Sequence, residues 1–276
     1  MRAAFRNPAT LILPLLAFLL VFYLVPVAMM LWRGIGAEGD FAPFVTIFTS
    51  EVALQVLLYT LKVAVVSTVL TLLLAYPLAY YITISGPKVA TILMAIVLIP
   101  FWTSILIRSY AWMVLLGQRG VINGFLQWLG LLDAPIRMLN TPFAVYIGMI
   151  HVLLPFMILP ILGALKGIDG RLVAAAENLG AGPVSVFRHV ILPLSFPGVL
   201  AGCVLVFVLA LGFYITPALV GGAKDMTISM LIAQEVELLR WDVASALAAV
   251  LLLATLAALL AVSRVLSLER VIGNSK

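Results

Sequence analysis

The sequence predicts an all-α fold, that of a polytopic membrane protein with six transmembrane helices. Of its 276 residues 64% are hydrophobic and only 10% are charged, and six apolar stretches are each long enough to cross a bilayer. A spanning helix needs about 20 apolar residues, because the hydrocarbon layer offers backbone N–H and C=O groups no partner outside the helix itself. The sequence has no internal repeat and no low-complexity linker, so we expect a single transmembrane domain over residues 1–276.

The predicted spans follow one another with mostly short connections. Arg2 and Arg6 precede the first as they would in a signal peptide, but its apolar run is too long and no clear cleavage site follows, which favours an anchor. Residues 114–132 are apolar but contain Gln, Asn and Gly, and we expect an interfacial or re-entrant helix there. The six spans are residues 11–31, 56–82, 89–107, 143–162, 198–220 and 243–263.

The charges predict the orientation. The termini and the even-numbered loops carry nine basic and three acidic residues, whereas the opposite side carries seven basic and eight acidic ones. Cytoplasmic loops are enriched in Lys and Arg, so both termini are expected in the cytoplasm. The basic pI of about 9.5 then reflects orientation and does not indicate nucleic acid. The nine basic residues are Arg2, Arg6, Lys88, Lys166, Arg171, Arg188, Arg264, Arg270 and Lys276.

The residues present restrict the chemistry. There are only two histidines, the zinc motif H-E-x-x-H, the serine motif G-x-S-x-G and the phosphate-binding loop are all missing, and Cys203 stands alone. We therefore expect no catalytic residue, no metal site and no cofactor in this chain. None of the six spans contains Asp or Glu, which disfavours an ion-coupled secondary carrier. Such a carrier, and an intramembrane enzyme or assembly factor, remain the alternatives from other classes.

If the chain moves a solute uphill, the energy must enter from another subunit. The only sizeable predicted cytoplasmic surface is the 166–193 loop, in which we expect a short helix, a glycine break and a second short helix. Residues 174–180 of this loop read AAAENLG, and residues 190–193 read VILP. This pattern resembles the E-A-A-x-x-x-G-x(9)-I-x-L-P motif of permease subunits in bacterial ABC importers. The residues that carry the motif are Ala174, Ala175, Ala176, Glu177, Leu179, Gly180 and Pro193.

Further segments make the chain similar to permeases of the spermidine/putrescine type: PFWT at 100–103, IRSY at 107–110, LLPFM at 153–157 and PGVLAG at 197–202. The resemblance implies a type I ABC importer permease fold in the bacterial inner membrane and transport of a polyamine or related amine. An amino acid, an opine or a phosphonate-like solute is the alternative. The implied partners are two ATPase subunits that bind ATP and Mg, a second and different permease chain, a periplasmic or lipid-anchored solute-binding protein, and membrane lipid.

Within the motif the resemblance implies a helix that docks on the ATPase, bends at Gly180, and gives way to the next span at Pro193. This sequence departs from the motif at Ala174, where glutamate is usual. Glu177 lies one turn later on nearly the same helix face and is the expected substitute.

Candidate pathway residues have two interpretations each. Trp102, Tyr110 and Trp112, around the outer end of the third span, form either an interfacial belt or a gate for a cationic amine. His151 is either a neutral histidine bonded to a neighbouring helix or a functional group. The remaining candidates are Tyr214 and Thr216, which we expect in the fifth span beside the pathway, and an outer acidic cluster of Glu235, Glu237 and Asp242, either solvated or attracting a cationic solute.

Overall fold

The computed structural model describes residues 8–35, 39 and 41–273, so Arg2, Arg6 and Lys276 lie outside it. Within these residues it consists of α-helices without strands, which confirms the all-α prediction. The helices are α1 Pro8–Leu19, α2 Val25–Arg33, α3 Ala42–Thr49, α4 Glu51–Ile84, α5 Pro87–Trp102, α6 Ile105–Leu116, α7 Val121–Trp128, α8 Pro142–Lys166, α9 Gly170–Asn178, α10 Pro183–Val186, α11 Leu192–Leu211, α12 Ile215–Val220, α13 Ile228–Glu237 and α14 Trp241–Gly273.

Four of the six predicted spans are confirmed as long apolar helices. The first, second, fourth and sixth correspond to Ile12–Arg33, Glu51–Ile84, Pro142–Lys166 and Trp241–Ala261. The second and the fourth helices extend several residues beyond the predicted bounds, because the prediction used the apolar runs alone and helices continue past the ends of these runs. No part of the first span is buried within the described chain. Its side chains therefore face lipid or another subunit.

The third span, predicted as residues 89–107, is wrong at its C-terminal end. α5 stops at Trp102, and α6 begins at Ile105 with its axis turned by 104°. Thr103 has an extended backbone, and its hydroxyl donates to the carbonyl of Pro100, which closes the end of α5. α5 and the segment that follows it thus form a broken span or a re-entrant loop. This segment continues through α7 to Trp128, which agrees with the interfacial or re-entrant helix expected at residues 114–132.

The fifth span is shifted from its predicted place at residues 198–220. The helical run starts at Pro183 and ends at Leu211, and α12 is a separate short helix. Pro183 occupies the first turn, where its missing N–H costs nothing, and Gly212 follows the end. The second helix expected in the 166–193 loop is therefore the start of this long run. Pro193 lies inside the run and does not begin it.

Two turns of π-helix interrupt the long helices, and each lies just before a proline. Leu20–Leu24 separates α1 from α2 and is followed by Pro26, and Phe187–Ile191 separates α10 from α11 and is followed by Pro193. A proline ring collides with the carbonyl four residues earlier, and a wider turn moves that carbonyl away. The helices therefore continue past both prolines.

The chain divides into two compact units. One contains the described parts of Met1–Gln55 together with Leu231–Leu256; there, Gly34 lies so close to the backbone of Ala246 that a Cβ would come within 3.0 Å. The other contains Val56–Met230 and the described residues after Leu256, including α4 to α12. The prediction of a single transmembrane domain stays a prediction.

In the larger unit α8 and α11 form the most extensive helix pair. A Cβ on Gly198 would lie 2.4 Å from the Cβ of Ala164, and one on Gly202 would lie 2.9 Å from the sulfur of Met157. The spacing Gly198-x-x-x-Gly202 places both glycines on one face, where the two backbones approach closely. This contact explains the PGVLAG segment and fixes both ends of the 166–193 loop.

Candidate functional site

α9 is a short helix held by its own end signals. At its start the Oδ1 atom of Asp169 accepts the backbone N–H of Arg171 at 2.9 Å. At its end Gly180 has a φ of 85°, its N–H donates to the carbonyl of Glu177, and the N–H of Ala181 donates to that of Ala176. These two bonds form a Schellman motif. The predicted helix and its glycine break at Gly180 are therefore confirmed.

The motif residues of α9 face solvent. No residue of the helix is buried; Ala174, Ala175 and Glu177 are exposed, and Ala176 is half-buried. Two apolar side chains beyond the helix are almost fully exposed, Leu179 at 89% and Val184 at 79%. We call loop residues 167–182 the α9 loop. Leu179 in this loop and Val184 just after it thus present an apolar surface that the described residues do not cover.

At the opposite end of α8, two polar contacts join three helices. The indole N–H of Trp112 on α6 donates to Nδ1 of His151 at 3.0 Å, and the planes of the two rings are inclined at 78° to each other. Because an indole only donates, Nδ1 must be the acceptor, and the neutral imidazole carries its proton on Nε2. His151 therefore has the neighbouring-helix partner that the first of its two interpretations requires.

The second contact involves Thr216 of α12. Its hydroxyl oxygen lies 3.2 Å from that of Ser109 on α6. Its methyl group packs so closely on Gly148 of α8 that a Cβ added there would lie only 2.5 Å from it. Thr216 is fully buried. It therefore closes the junction of α6, α8 and α12, and it lies outside the long helix in which it was predicted.

The other aromatic candidates lie on different elements of the fold. Trp102 ends α5 with 77% of its surface exposed and packs edge-on against Phe101, whereas Tyr110 and Trp112 lie on α6 beyond the 104° break. Tyr214 is exposed and precedes α12. The third span does not continue through Ile107 as one straight helix, and the expected gathering of Trp102, Tyr110 and Trp112 around its outer end stays a prediction.

The acidic candidates differ among themselves. Glu235 is buried and forms an ion pair with Arg240, 2.7 Å between Nε and Oε2. Glu237 and Asp242 are exposed. Only these two fit the solvated or solute-attracting interpretations, and Glu235 has a structural partner within the turn between α13 and α14.

Sequence reasoning missed a buried carboxylate. Asp225 follows α12, and its Oδ1 accepts the hydroxyl of Tyr59 on α4 at 2.9 Å while its Oδ2 accepts the backbone N–H of Gly222 at 2.8 Å. Next to it, the N–H of Ile228 donates to the hydroxyl of Thr60. Asp225 and Tyr59 are 166 residues apart. The one signal in the sequence was the Gly221-Gly222 pair, which marks a tight turn.

An apolar cavity of about 390 Å³ lies among α4, α11 and the C-terminal part of α14. It has no ionisable lining group except Cys203, so it offers nothing to hold a charged amine. Within the described residues no group of three His, Cys, Asp or Glu side chains is placed to hold a metal. The cavity is lined by Val65, Thr68, Val69, Leu200, Cys203, Val204, Phe207, Val208, Ala258, Leu259 and Ala261.

The chain is similar over most of its length to permease proteins of transport systems. It is 35% identical over 230 residues to the spermidine/putrescine transport system permease protein PotB of Escherichia coli, covering 80% of this chain and 84% of the relative. PotB of Haemophilus influenzae is 43% identical over 193 residues, covering 70% and 68%. The inner membrane ABC transporter permease protein YdcU of E. coli is 33% identical over 229 residues, covering 75% and 73%. No family profile matches.

Among solved structures, a chain of a bacterial alginate ABC transporter, in complex with an alginate pentasaccharide-bound periplasmic protein, matches with a TM-score of 0.79. The match covers 96% of this chain and 94% of the other at 23% identity, so it concerns the fold alone. It confirms the predicted ABC importer permease fold.

Proposed function

The chain belongs to the ABC importer permease family that includes the spermidine/putrescine permease PotB, and on that premise we propose that it receives the energy for polyamine import at its α9 loop. Membership makes it a multi-pass inner-membrane transport subunit and not an enzyme. ATP and Mg are bound by separate ATPase subunits in this proposal, and the termini face the cytoplasm. This family membership takes the place of the alternatives considered from the sequence, a secondary carrier and an intramembrane enzyme or assembly factor.

The exposed apolar surface formed by Leu179 in the α9 loop and by Val184 just after it carries the coupling proposal. Leu179 and Val184 would be unfavourable in water, since burying such a side chain is worth about 1.5–3 kcal/mol. Their place beside an N-capped, C-capped helix with no buried residue is what a docking element needs: fixed shape and free sides. The proposed occupant is a cleft in the ATPase subunit.

Glu177 is the proposed polar contact of this surface. It is exposed on the last turn of α9, one turn after Ala174, where the family motif has its glutamate. A carboxylate there can pair with a basic group of the ATPase, because charge-assisted bonds are roughly twice as strong as neutral ones.

The assembly we propose contains two ATPase subunits, a second permease that is a different homologous chain, and a periplasmic or lipid-anchored binding protein. The unburied first span supports a further membrane subunit. For the solute, the names of the PotB relatives support a polyamine. Two separate sets of groups are proposed to meet a cationic amine. One is the exposed rings of Trp102, Tyr110 and Tyr214 in the larger unit, and the other is the carboxylates of Glu237 and Asp242 in the smaller unit.

A photo-crosslinking amino acid at Leu179, in the complex purified from its host, tests the coupling proposal. We expect capture of the ATPase subunit from position 179. The control is the same amino acid at Trp128 in α7, which is 79% exposed against 89% for Leu179 and from which no ATPase should be captured. An ATPase that co-purifies but is not captured from position 179 would overturn the proposal.

Uptake by the complete complex in proteoliposomes tests the solute. We expect ATP-dependent accumulation of labelled spermidine or putrescine that unlabelled polyamines compete away. Competition by an amino acid, an opine or a phosphonate, with none by polyamines, would replace the polyamine with that solute.

A further inference from the structure

Phe187 is the first residue of the π-helical turn that follows the α9 loop and α10. Its ring lies between two rings of α4, edge-on to Tyr80 with centroids 5.4 Å apart and edge-on to Tyr76 at 6.0 Å. Edge-to-face aromatic pairs at these distances attract each other beyond their apolar contact. We call Tyr76, Tyr80 and Phe187 the aromatic clamp.

A hydrogen bond fixes the other side of the same turn to α4. The hydroxyl oxygen of Ser195 lies 2.9 Å from that of Tyr76, and Ser195 donates its proton to the carbonyl of Leu192 at 3.1 Å. Because Ser195 has no second proton, Tyr76 must be the donor. α4 therefore holds the helix at the start of the π-turn, through Phe187, and just after it, through Ser195.

The π-turn interrupts the regular hydrogen bonding of this long helix. The N–H of Leu192 donates to the carbonyl of Phe187, five residues back, and Pro193 has no N–H to donate. α9 packs against both α10 and this turn. A displacement of the α9 loop therefore reaches the π-turn before it reaches the rest of α11.

α4 connects the aromatic clamp with the opposite end of the larger unit. Tyr59 and Thr60 hold the 222–228 segment through Asp225 and the N–H of Ile228. From Tyr59 to Tyr76 the helix contains neither Gly nor Pro, and at about 1.5 Å per residue it extends about 26 Å. Pro77, the proline inside α4, lies between Tyr76 and Tyr80, so the stretch without proline reaches the aromatic clamp at Tyr76. The connecting stretch is thus an unbroken helix.

We propose that Phe187 is a positioning residue that transmits movement of the α9 loop to α4, and through α4 to the 222–228 segment. The proposal rests on the proposed function, in which the ATPase moves the α9 loop. Phe187 contacts neither the ATPase nor the solute in this scheme. It acts by keeping the π-turn and α4 together when the loop is displaced.

The test uses the assembled complex in proteoliposomes and measures solute transported per ATP hydrolysed. For Phe187→Ala we expect this ratio to fall by about fivefold, with ATP hydrolysis continuing and the ATPase still co-purifying. Phe187→Tyr, which keeps the ring, should restore it. Phe196→Ala is the matched control, because Phe196 is an exposed phenylalanine on the same helical run and should leave the ratio unchanged.

A double-variant cycle covers the case in which Phe187→Ala does not fold. Phe187→Leu and Tyr80→Leu are measured singly and together. We expect the transport-to-ATP ratio of the double variant to be little lower than that of Phe187→Leu alone, because both changes break the same contact between the two rings. Additive losses, a wild-type ratio in Phe187→Ala, or loss of the ATPase from that variant would each overturn the proposal. Failure of the proposed function would show separately, as absent capture from position 179 in a chain whose Phe187 is intact.

Discussion

α7 and α9 are two short helices of nearly equal length that end in the same way. α7 has eight residues and α9 nine, and each is followed by a glycine with positive φ, Gly130 at 70° and Gly180 at 85°. In α7 the N–H of Gly130 donates to Gln127 and that of Leu131 to Leu126, the bonds of a second Schellman motif. Local sequence thus specifies both helices by one set of rules.

They differ in how they are attached. The side chain of Asn123 in α7 is fully buried and makes three hydrogen bonds, to the carbonyls of Gly117 and Ile136 and from the N–H of Ile136. The outward side of α7 exposes Phe125 and Trp128, so its polar group faces inward and its apolar groups outward, as expected beside lipid. α9 has no buried residue. One helix is fixed to its own chain, and the other is left open to a partner.

The largest effect is expected from Gly180→Pro compared with Gly130→Pro. Proline cannot adopt a positive φ and has no N–H for the Schellman bond, so both changes break a helix end. Transport should fall more than about tenfold for Gly180→Pro, with membrane insertion retained and solute-stimulated ATP hydrolysis lost. Gly130→Pro should lower thermal stability, but the molecules that fold should keep normal stimulation of ATP hydrolysis by the solute. Normal stimulation in the Gly180 variant would contradict the assignment of the α9 loop.

Asn123→Ala should lower stability by about 3 kcal/mol, because three backbone groups lose the hydrogen bonds that they make with a fully buried side chain. The measurement is thermal unfolding of the purified protein in detergent. Asn178→Ala is the matched control, since Asn178 is exposed at the end of α9 and its loss should cost less than about 0.5 kcal/mol. Equal destabilisation of the two variants would remove the distinction between a fixed and a free helix.

Glu177→Ala should weaken binding of the ATPase subunit about tenfold, the size expected for one charge-assisted hydrogen bond. Glu177→Gln, which keeps the length and removes the charge, should behave similarly. Binding is measured by titrating detergent-solubilised permease with the ATPase, and the melting temperature of the permease should not change. Undiminished affinity would show that Glu177 does not replace the glutamate absent at position 174.

The smallest effect concerns Asp169→Ala, which removes the N-cap of α9. The cost to the helix is about 1 kcal/mol. Amide hydrogen exchange should become about fivefold faster in α9 while the amides of α7 keep their rates, which makes α7 the internal control. Faster exchange in both helices would mean that the cap stabilises the whole unit and not α9 alone.

Much of the fold could be predicted from apolar runs and helix-end signals. The 166–193 loop was located by charge and motif, and the glycine break in it by the rule that Gly follows helix ends. The break after Trp102 could not be predicted, because counting apolar residues measures length and says nothing of direction. The start at Pro183 was missed for a related reason: residues 183–192 are too polar to resemble a span, yet they continue one.

Long-range polar contacts were the other omission. Asp225 looks like a solvated loop residue until Tyr59 is brought to it, and Asn123 argued against a span without revealing that it holds the turn at Gly117. His151 and Trp112 were both candidates, but only the fold pairs them. Such pairs depend on helix packing, which a single sequence does not record.

The π-turn before Pro193 also separates two helical registers. A turn that holds one additional residue rotates everything after it by about 100° relative to an uninterrupted α-helix. Residues up to Val186 can thus present one face toward the α9 loop, while Gly198 and Gly202 present another toward α8. The direction of the exposed surface near the α9 loop and the direction of the glycine contact with α8 are therefore set on either side of the π-turn, each in its own helical register.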